Sequence, residues 1–254
     1  MPEINHLSYS SISAYLACGA AWKYKYLDGL KTSTTPELIF GSAWHNTIES
    51  FIGSDHQADL LATWSENWAR QANQEVDWGT DTPEHFCNEG VRLLSSPEIQ
   101  KGLLAIRASR DAEGPRIERK VELHVPGVPL PVIGYIDIIT ADGIPGGFKT
   151  SKSSWSLDKA LGETQPLFYL AALNQAGGQT PGWRFRHFIF VKTKESKFQA
   201  IEHIHNPGQL FWVFSMIQKI WNGISCGVFP ENPTGWKCSA LYCDFWKICR
   251  GKYE

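Results

Sequence analysis

Residues 8–27 carry the pattern of a helix. Ile12, Tyr15, Leu16 and Trp22 supply an apolar face, and Ser8 or Ser10 can cap the start. A polar loop follows over 28–36, and Phe40, Trp44, Ile48 and Phe51 then mark a second helix over 38–52. Similar spacing predicts helices over 57–73, 83–93 and 97–109. Beyond these the period changes. Residues 116–125 alternate through Ile117, Arg119, Val121 and Leu123, and 131–140 form a β-rich run. Asp142-Gly143 then reads as a hairpin turn into a short strand over 144–150. A helix is predicted over 156–176, strands over 183–193 and 197–204, and a last helix over 207–223. No repeat or low-complexity linker interrupts this order. It describes one α/β core spanning the chain, with residues 53–113 as an N-terminal helical insertion.

Composition narrows the class. A chain of 254 residues with 43% hydrophobic content can bury a full core. No apolar run approaches the roughly 20 residues a membrane helix needs. Met1-Pro2-Glu3-Ile4-Asn5-His6 lacks the basic and apolar regions of a signal peptide, so a cytoplasmic protein without a membrane partner is expected. The formal charge of −2 gives no global signal for nucleic acid, but a local patch acts within about a Debye length, ~8 Å. Most of the 11 Trp, 13 Phe and 8 Tyr belong to the core, and exposed ones could stack on unpaired bases.

Candidate chemistry begins with Asp137, an acid inside the apolar strand Gly134-Tyr135-Ile136-Asp137-Ile138-Ile139. A carboxylate there is costly to bury unless it is paired or bound to a metal. Past the turn comes Gly147-Phe148-Lys149-Thr150-Ser151, and adjacent antiparallel strands can bring Asp137 and Lys149 to one sheet edge. Phosphodiester hydrolysis needs a divalent ion on hard oxygen ligands and a group that orients water. An Asp and a Lys at such an edge suit that task.

These segments resemble motifs II and III of the PD-(D/E)XK nucleases, RecB-type branch. Phe40-Gly41-Ser42-Ala43-Trp44-His45 is similar to that branch's FGxxxH helix, and Gln165-Pro166-Leu167-Phe168-Tyr169 to its QxxxY helix. Leu7-Ser8-Tyr9-Ser10-Ser11-Ile12 and Tyr24-Lys25-Tyr26 look like its opening helix. Taken singly, His45, Asp137 and Lys149 would each be an ordinary core or surface residue. Four motifs in the family's order point to a metal site. The resemblance implies a restriction-endonuclease-like fold with a central mixed sheet flanked by helices. It also implies Mg²⁺ or Mn²⁺ on His45, Asp137 and the Phe148 carbonyl, with Lys149 acting on the scissile phosphate. Gln165 and Tyr169 would position DNA, with Lys149 and Lys152 as contacts and Lys23 and Lys25 as looser candidates.

One position departs from the pattern. The family carries Asp or Glu two residues before the lysine, where this chain has Gly147. Fewer negative ligands hold a hard cation less strongly. Glu118 and Glu122, on the preceding strand, are possible neighbours.

Cys238, Cys243 and Cys249 stand close together in a Trp-rich tail, a spacing that suits zinc or iron–sulfur. Cys18 is the natural fourth ligand. The arrangement resembles the CRISPR-associated RecB-like nucleases, which implies a 4Fe–4S cluster. The wider first spacing and Gly19, where many relatives have proline, leave zinc open. Bonding Cys18 to the tail would staple positions about 220 residues apart and chiefly restrict the unfolded chain. Cys87 and Cys226 are expected as buried free thiols.

The expected function is a metal-dependent DNA exonuclease acting on single-stranded ends. Its setting would be recombination, repair, phage DNA processing or CRISPR adaptation, with possible protein partners there. Gly147 is expected to impair this chain. The alternatives are a catalytically inactive DNA-binding or assembly subunit of the same fold, and a zinc-stapled protein-interaction domain.

Overall fold

The computed structural model describes residues 4–177 and 181–253. Its first half comprises β1 (Leu7–Ser8), α1 (Tyr9–Ala17), α2 (Gly19–Tyr26), α3 (Pro36–Gly53), α4 (Leu60–Ala72), α5 (Pro83–Leu94) and α6 (Pro97–Ala105). The short strands β2 (Arg110–Asp111) and β3 (Gly114–Pro115) precede β4 (Ile117–Leu123), β5 (Val132–Ile139) and β6 (Pro145–Ser151). Then come α7 (Leu157–Gly162), α8 (Gln165–Gln175), β7 (Arg184–Val191), β8 (Lys197–Ile204) and α9 (Gln209–Ser225).

Three predicted helices differ from the observed ones. The first breaks at Cys18, which is extended at φ −167°, ψ 110°. The break lets Gly19 approach Pro230, where an added Cβ would stand 2.7 Å from the proline Cδ. The predicted 156–176 helix divides after Gly162: Ser156 caps α7, and Pro166, which has no N–H to donate, sits in the first turn of α8. Helix α6 stops at Ala105 because the chain then joins the sheet, the Ser109 N–H donating to the Ile139 carbonyl at 2.8 Å.

The chain forms two compact units, and the larger holds residues 34–120 and 135–206. Helix α3 is buried along Phe40, Trp44, Ile48 and Ile52, the i, i+4 row of one face. Against it pack Trp64 of α4, Phe86 and Leu93 of α5 and Ile99 and Leu103 of α6, in one cluster with Phe148 and Phe190 of the sheet. The predicted insertion is therefore part of the main core. Each such side chain contributes roughly 1.5–3 kcal/mol when fully buried. Gly90 is required where α5 meets the Trp64 ring, since any Cβ there would overlap the indole.

In this unit β5 pairs antiparallel with β6, β6 parallel with β7, and β7 antiparallel with β8. The parallel pair needs a crossover, which α7 and α8 supply. In the smaller unit Leu7 and Ser8 pair parallel with Val132 and Ile133. Among the described residues β4 also pairs with β5, and the sheet pairing is mixed.

The smaller unit holds residues 1–33, 121–134 and 207–254. Trp22 is its centre, buried and stacked on Phe229 with ring centroids 5.8 Å apart, while Tyr15 meets it edge-on at 5.7 Å. The Tyr15 hydroxyl donates to the Val228 carbonyl, and the Asn232 amide donates to the Ala17 carbonyl at 2.9 Å. Helix α9 buries Val213, Ile217, Ile220 and Ile224, the expected helical row. Among the described residues no helix is long and apolar enough to cross a membrane.

Candidate active site

The opening in the larger unit begins where β5 and β6 part. They pair at Ile139↔Pro145 and Ile138↔Gly146, and from Gly146 to Ser151 the β6 register runs with β7. Beyond the last β5 pair, the Phe148 N–H donates to Asp137 Oδ2 at 2.6 Å. That charge-assisted bond gives the strand carboxylate a donor within the sheet.

Helix α3 brings His45 to the same place. Ala43, Trp44, Thr47 and Ile48 are buried, which leaves His45 and Glu49 together on the opposite face, one turn apart. His45 Nδ1 lies 3.7 Å from Asp137 Oδ2 and 3.8 Å from Glu49 Oε1. Burial, the charge of Glu118 and a hydrogen bond to it, and the charge of Asp137 together push the Glu49 carboxyl up to about 9. A cavity of about 600 Å³ opens beside these groups, bounded by Glu37, Gly41, Ser42, His45, Glu49 and Glu118.

Glu49 belongs to none of the sequence motifs, although its position four residues after His45 is the signal that finds it. Glu118 reaches the cavity from β4 with its backbone at φ 48°, unusual for a residue with a side chain. The Ile139 N–H donates to the Arg116 carbonyl at 2.9 Å, so the start of β4 lies beside the end of β5. Glu122 belongs to the smaller unit, where it stands 3.8 Å from His124.

Gly147 borders the same opening. A Cβ built there would stand 3.4 Å from Phe185 Cζ and 3.6 Å from Asp137 Oδ2, which is ordinary contact. The position therefore has room for a side chain next to Asp137. Two residues on, Lys149 Nζ donates to Gln165 Oε1 at 3.0 Å, and Gln165 Nε2 donates to the Tyr169 hydroxyl at 2.8 Å. Lys149 and Gln165 are half-buried, whereas Tyr169 is only 6% exposed. Lys152 is exposed, 4.0 Å from Glu37. In the smaller unit, Lys23 pairs with Asp28 at 2.7 Å, and Lys25 lies over the Tyr26 ring.

The six cysteines are free thiols. Burial, followed by the charges of Cys18 and Cys238 among others, raises Cys243. Burial and Glu231 raise Cys249, with Cys18 a smaller contributor. Cys18 is thus the shared neighbour of two tail thiols. Cys87 packs half-buried at the edge of the main core, but Cys226 is exposed, contrary to the expected burial, because it caps the end of α9.

Among the described residues, no group of three or more His, Cys, Asp or Glu side chains is arranged to hold a metal ion. This applies to the cysteines as well as to His45 and Asp137. The donor chemistry of the opening nevertheless fits a hard divalent cation. It combines an imidazole nitrogen with clustered carboxylates, one of which holds a proton well above its ordinary range when no cation is there.

A family model described as the PD-(D/E)XK nuclease superfamily matches residues 6–250. The chain belongs to this superfamily. The crystal structure of the "Putative exonuclease" from Eubacterium rectale is similar to it, with a TM-score of 0.63 at 11% identity over 97% of this chain and 88% of that one. The similarity shows the fold, a restriction-endonuclease-like mixed sheet flanked by helices. The structure of SSO0001 has a TM-score of 0.34 at 16% identity, over 96% of this chain and 95% of that one, and carries no argument. No curated protein matches the chain. Membership of this superfamily supports a nuclease.

Proposed function

We propose that this nuclease is a divalent-metal-dependent DNA exonuclease of the RecB-type branch, acting on single-stranded ends. The observation that supports this most is the gathering of His45 and Asp137 from separate elements, with Lys149 on the adjoining strand β6 bonded to Gln165 of α8. His45, Asp137 and the Phe148 carbonyl would hold Mg²⁺ or Mn²⁺. Such an ion would polarise a phosphoryl oxygen and make a bound water more acidic. Lys149, a fixed donor at a half-buried position, would stabilise the charge that develops on the phosphate. Exposed Lys152 would contact the strand nearby. Cys18, Cys238, Cys243 and Cys249 would hold a 4Fe–4S cluster, with zinc as the alternative. The setting would be recombination, repair, phage DNA processing or CRISPR adaptation, in the cytoplasm and with protein partners of such a complex.

Gly147 favours a second reading, an inactive DNA-binding or assembly subunit of the same fold. Cleavage of a labelled single strand with Mn²⁺ separates the two. The chain should cleave slowly, and Gly147→Asp should raise the rate by about a hundredfold or more, the usual scale for one well-placed electrostatic group. EDTA should abolish both activities. If the unaltered chain already cleaves strongly and Glu118→Gln stops it, the cavity carboxylate Glu118 fills the gap and impairment is wrong. If Gly147→Asp stays inactive with either metal, the exonuclease reading fails.

A further inference from the structure

We infer that Tyr169 is a positioning residue that fixes Lys149 through Gln165 and does not touch the nucleic acid. The inference rests on the nuclease reading of this site and deepens it. A lysine ammonium only donates hydrogen bonds, so the Gln165 amide must present Oε1 to it, as it does at 3.0 Å. That choice turns Nε2 the other way, where it needs an acceptor, and the Tyr169 phenol oxygen supplies one at 2.8 Å. Without that oxygen Nε2 loses its acceptor, and the amide that holds Lys149 loses its second anchor. A flipped amide would place NH₂ against NH₃⁺.

Packing holds the phenol in place. Helix α8 is buried continuously from Pro166 to Ala172, and Tyr169 lies one turn after Gln165 on the same face. Its ring stacks on Phe185 with centroids 6.3 Å apart and planes at 26°. Phe185 is itself the nearest neighbour of the Gly147 side-chain position. At 6% exposure Tyr169 has no ring face open to a base. The aromatic residue of this segment therefore acts through the amide and the ammonium, away from the strand.

The test compares the full chain with Tyr169→Phe, Gln165→Leu and the double variant. The first readout is the labelling rate of Lys149 by an amine-reactive reagent at one fixed pH, followed by mass spectrometry with Lys152 as internal control. Losing the bond to Gln165 removes a partner of the charged amine, so labelling of Lys149 near pH 8 should rise roughly three- to tenfold in Gln165→Leu. Tyr169→Phe should rise in the same direction, the double variant should match Gln165→Leu alone, and Lys152 should not change. The second readout is single-stranded DNA affinity by fluorescence anisotropy. Tyr169→Phe removes only the hydroxyl and should leave it within about twofold, whereas losing a hydroxyl bonded to the strand would lower it roughly fivefold or more. Weakened DNA binding with Lys149 labelling unchanged would overturn the inference, as would unchanged labelling alone. If no form binds or cleaves DNA, the nuclease reading falls, and the labelling result still decides whether Tyr169 positions Lys149.

Discussion

The two regions that carry candidate chemistry are organised to different degrees. Around Asp137 each polar group has a named partner: the Phe148 N–H on the carboxylate, Gln165 on Lys149 and Tyr169 on Gln165. The cysteine region lacks that directness. Cys18 lies between two helices, the other three lie in a tail of short turns, and the thiols influence one another without forming a ligand set. The difference follows from what each region needs. Sheet register and helix packing place the first by hydrogen bonds and a buried core. A cluster or zinc would draw the cysteines together through metal–thiolate bonds, because folding and metal binding are one process at such sites.

The sharpest way to break this contrast is to remove Cys18. Protein purified without oxygen should hold about four iron atoms per chain if one 4Fe–4S cluster is bound. Cys18→Ser should lose essentially all of it, as should Cys238→Ser, Cys243→Ser and Cys249→Ser, whereas Cys87→Ser and Cys226→Ser should retain it. Elemental analysis finding one zinc without iron or sulfide would replace the cluster with a zinc staple. Full metal content in Cys18→Ser would separate the two ends of the chain chemically.

The larger unit should show its own signature in acid. His187 and His203 are buried with rings 5.1 Å apart, His187 beside Trp155 and Phe185, and His203 beside His205. Burial, then the charges of His203 and Lys149, lowers His187 to about 3; burial and His205 lower His203 to about 4. In the unfolded chain both titrate near 6.5, so between these values the unfolded state binds more protons. Stability should therefore fall as pH drops from about 6.5 towards 4, by at most about 1.4 kcal/mol per pH unit for each histidine. Urea denaturation across that range tests this, with His187→Phe expected to flatten the curve. A midpoint independent of pH would mean that the imidazoles are already hydrated or charged in the folded state.

A smaller effect concerns the strand itself. Lys149→Ala with Lys152→Ala should weaken single-stranded DNA binding and flatten the salt dependence by about 0.7 for each phosphate that is no longer neutralised. Anisotropy at several salt concentrations measures both. An unchanged slope would move the DNA footprint away from β6 and the residue after it.

Much of this was legible in the sequence because it is local. Period-two and helical spacing place β4 to β8 and α3 to α6 within a few residues of their observed bounds, and the Asp137, Lys149 and Gln165 motifs lie in their family order. The glycine two residues before Lys149 is likewise read directly from the chain. Local pattern cannot decide where backbone and side chains meet at a distance. The Cys18 break depends on Pro230, and the merger of α4 to α6 with the sheet core depends on Phe148 and Phe190. Glu49 and Glu118, 69 positions apart, become neighbours only when α3 packs beside β4. Tyr169 is a clear case: an aromatic residue one turn after Gln165 is equally suited to a base or to the amide, and burial against Phe185 gives it to the amide. Spacing along the chain determines which side chains share a face, while packing across the core determines which of those faces remain open to a substrate.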